Sequence, residues 1–204
     1  RICGVKYRVE SLCDELLKHQ DVFQMSGGGV TFSGGEPLMQ TDFVVALANC
    51  LHAQGIHLTL ETSGYASLED YTRAVQSVDL VFQDLKHPNP NEHLRCTGRD
   101  NALILANLAW LKQSEKPFVA RIPLIPQTNM DYATLEDFAL LLKDAPNLLR
   151  VELMPYHATA GAKYHLTGRT FRPGFDDTNL DRQQLFSDAC LAPFVAQGLT
   201  CRFV

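Results

Sequence analysis

Apolar residues recur along the chain with two alternating periods. Val9, Leu12, Cys13, Leu16 and Leu17 form one helical stripe, which predicts a helix over 9–18. A short strand follows at 29–32, then a helix over 38–54 that Gly55 stops. A strand at 56–60 is closed by Gly64, and a helix over 68–78 leads into an apolar strand at 79–85. Pro88 and Pro90 mark a loop before a helix over 101–113. A strand at 118–125, a helix over 135–142 with Thr134 as its N-cap and a strand at 149–153 come next. The stretch 159–179, rich in Gly, Thr and Asp, reads as loop; a helix over 180–197 and a strand at 199–203 end the chain.

Strands alternating with helices predict an α/β fold, a parallel sheet covered by helices, either open or curled into a barrel. About five strands before the tail are too few for an eight-fold barrel. The length of 204 residues suits a single domain over 1–204, and no repeat or linker divides it. A formal charge of −5 gives no basic field for nucleic acid. No apolar run approaches the ~18 residues of a membrane span and no leader pattern opens the chain, so a soluble, cytoplasmic protein is expected. The six cysteines show no C-x2-C spacing, and in a chain with so many core residues most of them are expected to be small buried apolar groups rather than a disulfide frame.

Ligands of parallel sheets sit at the carboxyl ends of the strands. The polar residues at those ends are Ser33, Gly34, Gly35 and Glu36; Glu61, Thr62 and Ser63; Asp84 with Lys86; Arg121; and His157. Each predicted strand delivers at least one, which marks a site. The run Ser-Gly-Gly-Gly-Val-Thr-Phe-Ser-Gly-Gly-Glu-Pro over 26–37 holds five of thirteen glycines. It has neither the Lys-Ser/Thr ending of a phosphate loop nor the G-x-G-x-x-G spacing of a dinucleotide site. Alone, a glycine pair after a strand is most simply a tight turn. His19, His52, His57, His87, His93 and His165 show no metal spacing and read as structural. Glu69, Asp70, Glu136 and Asp137 read as solvated helix starts.

Taken whole, the run resembles the Gly-Gly-Glu motif of radical S-adenosylmethionine (SAM) enzymes. The Ser-Gly-Gly-Gly before it narrows the resemblance to glycyl-radical enzyme activating enzymes, the pyruvate formate-lyase activase group. Leu60-Glu61-Thr62-Ser63-Gly64, Asp84-Leu85-Lys86, Arg121-Ile122-Pro123 and Leu153-Met154-Pro155-Tyr156-His157 are similar to later blocks of that group, in order, over essentially the whole chain.

This resemblance implies a partial (β/α)6 barrel that binds SAM across its top. It also implies a 4Fe-4S cluster on a C-x3-C-x2-C triplet ahead of the Gly-Gly-Glu block, and an oxidoreductase of anaerobic metabolism. Reductive cleavage of SAM there yields a 5′-deoxyadenosyl radical, which generates a glycyl radical on a partner of the pyruvate formate-lyase type. The triplet is absent here, so the chain is expected to be an N-terminally truncated barrel lacking its first strand, with no catalytic cluster ligand of its own. Ser33 is implied as a SAM-binding residue; Gly34, Gly35 and Glu36 are implied to face the SAM ammonium group, Thr62 and Ser63 the ribose or carboxylate, and Asp84 a cation or hydroxyl. Lys86 is implied to offset the methionine carboxylate, Arg121 to pair with that carboxylate or cover the adenosine, and His157 to contact the nucleoside. Glu61, Thr62 and Asp84 are implied as oxygen ligands of a monovalent cation, Glu61 standing where the family has Asp. A flavodoxin or ferredoxin electron donor and a monomeric state follow from the same resemblance.

Two other readings compete. A truncated SAM- or partner-binding module without catalysis would share these residues. A lyase using Lys86 as a Schiff-base amine would need a lysine of lowered pKa, and Asp84 beside it works against that.

Overall fold

The computed structural model describes residues 4–156, 170 and 186–204. Its centre is a six-stranded sheet, β1 (Gly29–Phe32), β2 (His57–Thr62), β3 (Leu80–Asp84), β4 (Phe118–Leu124), β5 (Leu148–Pro155) and β6 (Cys201–Phe203), in that spatial order. Every neighbouring pair is parallel. Sequential order with parallel pairing requires a crossover between successive strands, and the helices supply it.

Among the described residues the helices are α1 (Val9–Leu17), α2 (Gln20–Ser26), α3 (Thr41–His52), α4 (Leu68–Gln76), α5 (Pro90–Thr97), α6 (Ala102–Gln113), α7 (Tyr132–Leu142) and α8 (Ala192–Ala196). Among the described residues none is long and apolar enough to cross a membrane. The helix side of the sheet is apolar: Leu58, Leu60, Val81, Ala120, Ile122, Val151 and Leu153 are fully buried against Leu47, Leu51, Leu108, Leu111, Phe138 and Phe194. The intervening positions of the same strands carry Thr59, Glu61, Phe82, Asp84, Arg121 and Glu152 on the other face.

Local chemistry sets the element ends. Gly55, at φ 73°, closes α3 by donating to the His52 carbonyl. The predicted helix over 38–54 is in fact a 3-10 turn, Pro37–Gln40, followed by α3. Two helices were not expected. In α5, Asn89 caps Asn91 and Glu92 while Pro90 occupies the first turn, where its missing N–H costs nothing. In α2, Gly27 at φ 64° ends a seven-residue helix with no buried side chain. The cap of α7 is Asp131, which accepts from the Thr134 amide, rather than Thr134. Of the predicted helix over 180–197, the described part is a 3-10 turn, Asp188–Cys190, and α8; the rest lies outside the described residues. Cys13 and Cys50 are joined in a disulfide between α1 and α3, a cross-link the sequence did not lead one to expect, and Cys96 is exposed. The two bonded residues are 37 positions apart, so no local spacing announces them.

Candidate active site at the carboxyl ends of the strands

The loop leaving β1 turns at Gly34, whose φ of 115° is a conformation that side-chain-bearing residues rarely adopt. Glu36 then points its carboxylate back at β2. Oε1 accepts from the Thr62 hydroxyl at 2.6 Å and the Leu38 amide at 3.2 Å. Oε2 accepts from the Ser63 amide at 2.9 Å and the Ser63 hydroxyl at 2.6 Å. The Thr62 oxygen in turn accepts from the Gly64 amide. Glu36, Thr62 and Ser63 thus form one knot that fixes two loops. Their side-chain groups are spent on each other rather than held out to a ligand. What the turn presents outward is backbone, since a Cβ built on Gly34 or Gly35 would meet nothing within 4 Å.

Gln83, fully buried, steadies the next loop. It accepts from the Tyr71 phenol at 2.7 Å and donates to the carbonyls of Ser63 and Asp84. Burial raises the pKa of that phenol, so it stays a donor. Asn107 donates to the Gly64 and Ala66 carbonyls, Asn101 to His87 and Pro88, and Asn129 to Lys86 and Pro123. These buried amides clamp the loops after β2, β3 and β4. Sequence reading passed over them; the available signal was a polar residue inside an apolar helix, as Asn107 is in α6.

Asp84 ends β3. Its Oδ2 accepts from Lys86 Nζ at 3.1 Å, while its buried Oδ1 has no partner. Across the inner face, Asp84, Arg121, Glu152 and Arg202 stand in register on four neighbouring strands. Arg121 donates from Nη1 to Glu61 and from Nε to Glu152, both at 3.0 Å, and its guanidinium lies 3.7 Å from the centre of the Phe82 ring. Ser33 donates to the other Glu61 oxygen at 2.9 Å. Glu152, 2% exposed, also accepts from Arg150 and Arg202 at 2.8 Å. Burial alone would raise its pKa; the bonds from Arg202, Arg150 and Arg121 override this and hold it at about 2. Arg121 is therefore part of a charge network that pattern alone did not reveal.

The structure brings Ser33, Gly34, Gly35, Glu36, Glu61, Thr62, Ser63, Asp84, Lys86 and Arg121 to one edge of the sheet; His157 lies outside the described residues. Glu61, Thr62 and Asp84 do not form a ready cation cage. Glu61 is bound by Ser33 and Arg121, Thr62 by Glu36, and Asp84 by Lys86. Among the described residues no three His, Cys, Asp or Glu side chains converge on a possible metal position. A cavity of about 240 Å³ opens beside Asp84 and Lys86, lined also by Ser63, Tyr65, His93 and Arg99.

Residues 4–139 match the sequence pattern of the Radical SAM superfamily. The trans-4-hydroxy-L-proline dehydratase activating enzyme of Clostridioides difficile is 38% identical over 165 residues, 80% of this chain and 55% of that protein. The pyruvate formate-lyase-activating enzyme of Listeria monocytogenes is 32% identical over 171 residues, 81% of this chain and 69% of that protein. The chain thus spans little more than half the length of the first of these relatives. A crystal structure of a domain of a pyruvate-formate lyase-activating enzyme from Bacteroides vulgatus superposes with a TM-score of 0.70 at 26% identity. It covers 87% of this chain and 99% of that one.

Proposed function

The chain belongs to the radical SAM superfamily, among activating enzymes of the pyruvate formate-lyase activase type, and from that premise we propose that it carries the SAM-binding site of a glycyl-radical enzyme activating enzyme. The observation that carries this reading is the Gly34–Gly35–Glu36 turn, locked to Thr62 and Ser63, with Glu36 and Ser63 lining the same cavity as the Asp84–Lys86 pair. SAM is a cationic nucleoside with an ammonium and a carboxylate. The open backbone of Gly34 and Gly35 and the Asp84 carboxylate are acceptors for the ammonium, and Lys86 supplies a cation for the carboxylate. The residues present fit that ligand.

Bound SAM, on accepting one electron from a reductant and releasing methionine, would supply a 5′-deoxyadenosyl radical able to take a hydrogen atom from a glycine of the partner enzyme. This chain's residues bind and orient. The Glu36 knot holds the glycine turn, Asp84 and Lys86 grip the amino-acid end, and Arg121, fixed between Glu61 and Glu152, borders the nucleoside. A 4Fe-4S cluster does not fit the described residues, because Cys13 and Cys50 are bonded to each other and no three ligands converge. No step is therefore assigned to a cluster here. The reading includes a glycyl-radical enzyme as protein partner, a flavodoxin or ferredoxin as electron donor, a single cytoplasmic domain and a monomer.

The test uses the full-length gene product, reconstituted with iron and sulfide without oxygen and given SAM and dithionite. The expected result is 5′-deoxyadenosine formed in proportion to cluster content. A loaded protein that binds SAM yet forms none would be a binding module, and the enzyme reading would fall.

A further inference from the structure

Residues 4–28 lead into β1, and among them only Cys13 is buried. In α1, Leu12, Leu16 and Leu17 pack against the core half-buried, and α2 buries no side chain at all. Among the described residues no side-chain hydrogen bond or ion pair ties 9–17 to another element, since Glu15 pairs only with Lys18 at the end of its own helix. The α2 helix adds one bond, from Gln20 Nε2 to the Gln54 carbonyl at 3.1 Å.

Packing does not make up the difference. A cleft of about 290 Å³ is lined by Leu12 and Leu16 of α1, Val30 of β1 and Phe43 of α3. Side chains that border such a gap lose the dispersion contacts that close packing would give them. What fastens the segment is covalent, the Cys13–Cys50 bond to α3 across 37 positions. α3 itself is firmly seated, with Val44, Leu47, Ala48 and Leu51 buried. A cross-link on a thinly packed segment carries most of its attachment, because it removes the freedom the segment would gain by detaching. A disulfide is also a covalent link that thiols undo under mild conditions.

We infer that the Cys13–Cys50 disulfide is a redox-operated latch, which holds residues 9–26 against α3 when oxidised and releases them when reduced, with the sheet intact. A dithiol reductant gives two electrons and two protons to the bond, Cys13 and Cys50 become thiols, and the dithiol becomes a disulfide. A disulfide oxidant reverses the step. The release reaches the candidate site, because the same cleft is lined by Ser33, whose hydroxyl donates to Glu61, and by Pro37, which opens the 3-10 turn capped by Glu36. The inference needs only the bond and the thin packing around it, and stands whether or not the site binds SAM.

The experiment is hydrogen–deuterium exchange, read by mass spectrometry, on the full-length gene product oxidised with glutathione disulfide or reduced with dithiothreitol. Cys50→Ser is measured in both conditions, and alkylation of free thiols reports the state of the bond. Reduction of the wild type is expected to speed exchange over 9–26 by about tenfold or more and over 33–38 by about twofold or more, leaving β2 to β5 unchanged. Cys50→Ser should exchange fast over 9–26 in both conditions. Exchange over 9–26 that ignores reduction would overturn the latch. Equal acceleration of the whole sheet would overturn it too, by making the bond a staple of the entire fold. Fast exchange over 9–26 with 33–38 unmoved would overturn the link to the site. Wild-type thiols at 13 and 50 that stay open to alkylation after the oxidant, or a Cys50→Ser protein that still responds to the dithiol, would remove the disulfide as the cause.

Discussion

Glycine is used in two opposite ways within seven residues of β1 and its loop, and a methyl group tells them apart. At Gly29 a Cβ would fall 2.0 Å from the His57 carbonyl oxygen, the backbone of its own β2 partner in the ladder. Neither strand can give without breaking the pairing. Gly29→Ala is therefore expected to lose about 2 kcal/mol of stability, read as a lower urea midpoint. At Gly35 a Cβ meets nothing, and its backbone is not in the left-handed region. Gly35→Val should fold with a near-normal midpoint yet bind SAM at least tenfold more weakly, because the side chain stands where the ligand's amino-acid end belongs. Calorimetry beside urea unfolding separates the two cases. A Gly35→Val protein that binds SAM normally would move the ligand away from this turn.

Helix ends obey similarly local rules, and α7 offers a clean case. Asp131 accepts from the Thr134 amide through Oδ1 and from the Thr134 hydroxyl through Oδ2. Those bonds, the amide's above all, hold its carboxyl below the usual range against the opposing effect of partial burial. Asp131→Ala should cost about 1 kcal/mol in thermal or urea unfolding at pH 7, while Thr134→Ala, which leaves the amide donor in place, should cost less. A larger loss in the threonine variant would restore Thr134 as the cap. Strands were readable in the sequence because their apolar runs are buried by helices: β1 falls on 29–32 as expected, and β2 to β5 shift by at most two residues at an end. α5 was not readable, because two prolines suggest a loop until one notices that Pro90 follows a capping Asn89. The site's membership was readable from polar residues at strand ends. Its wiring was not, since whether Glu36 faces a ligand or Ser63 depends on loops brought together across 27 positions.

Across the molecule, the inner face of the sheet is held by charge where the outer face is held by apolar packing. Ser33, Glu61, Arg121, Glu152 and Arg202 link the β1 loop to β6 in an unbroken chain of hydrogen bonds, and Arg150 adds a third cation at Glu152. The sheet is thus cross-braced by side chains perpendicular to its strands, and Glu152 is the member shared by most of the bonds. Its carboxyl sits at about 2 in the folded protein against an ordinary 4.5. A depressed carboxyl contributes stability that is complete above pH 4.5 and disappears as the pH falls toward 2, amounting here to about 3 kcal/mol. His87 acts higher on the scale: burial lowers its pKa, so its neutral form favours folding and protonation below about pH 6.5 opposes it. Wild-type stability should therefore decline in two stages on acidification, first below pH 6.5 and then more steeply below pH 4.5. Glu152→Gln isolates the second stage. It should be about 3 kcal/mol less stable than wild type at pH 7, and the gap should close between pH 4.5 and 2, as the wild-type carboxylate becomes protonated. Urea unfolding of both proteins at pH 7, 5, 3.5 and 2.5 measures that difference directly, with the contributions of every other titrating group cancelled. A gap that stays constant over this range would mean that Glu152 braces the sheet by shape alone, and that the arginines crossing it do not depend on its charge.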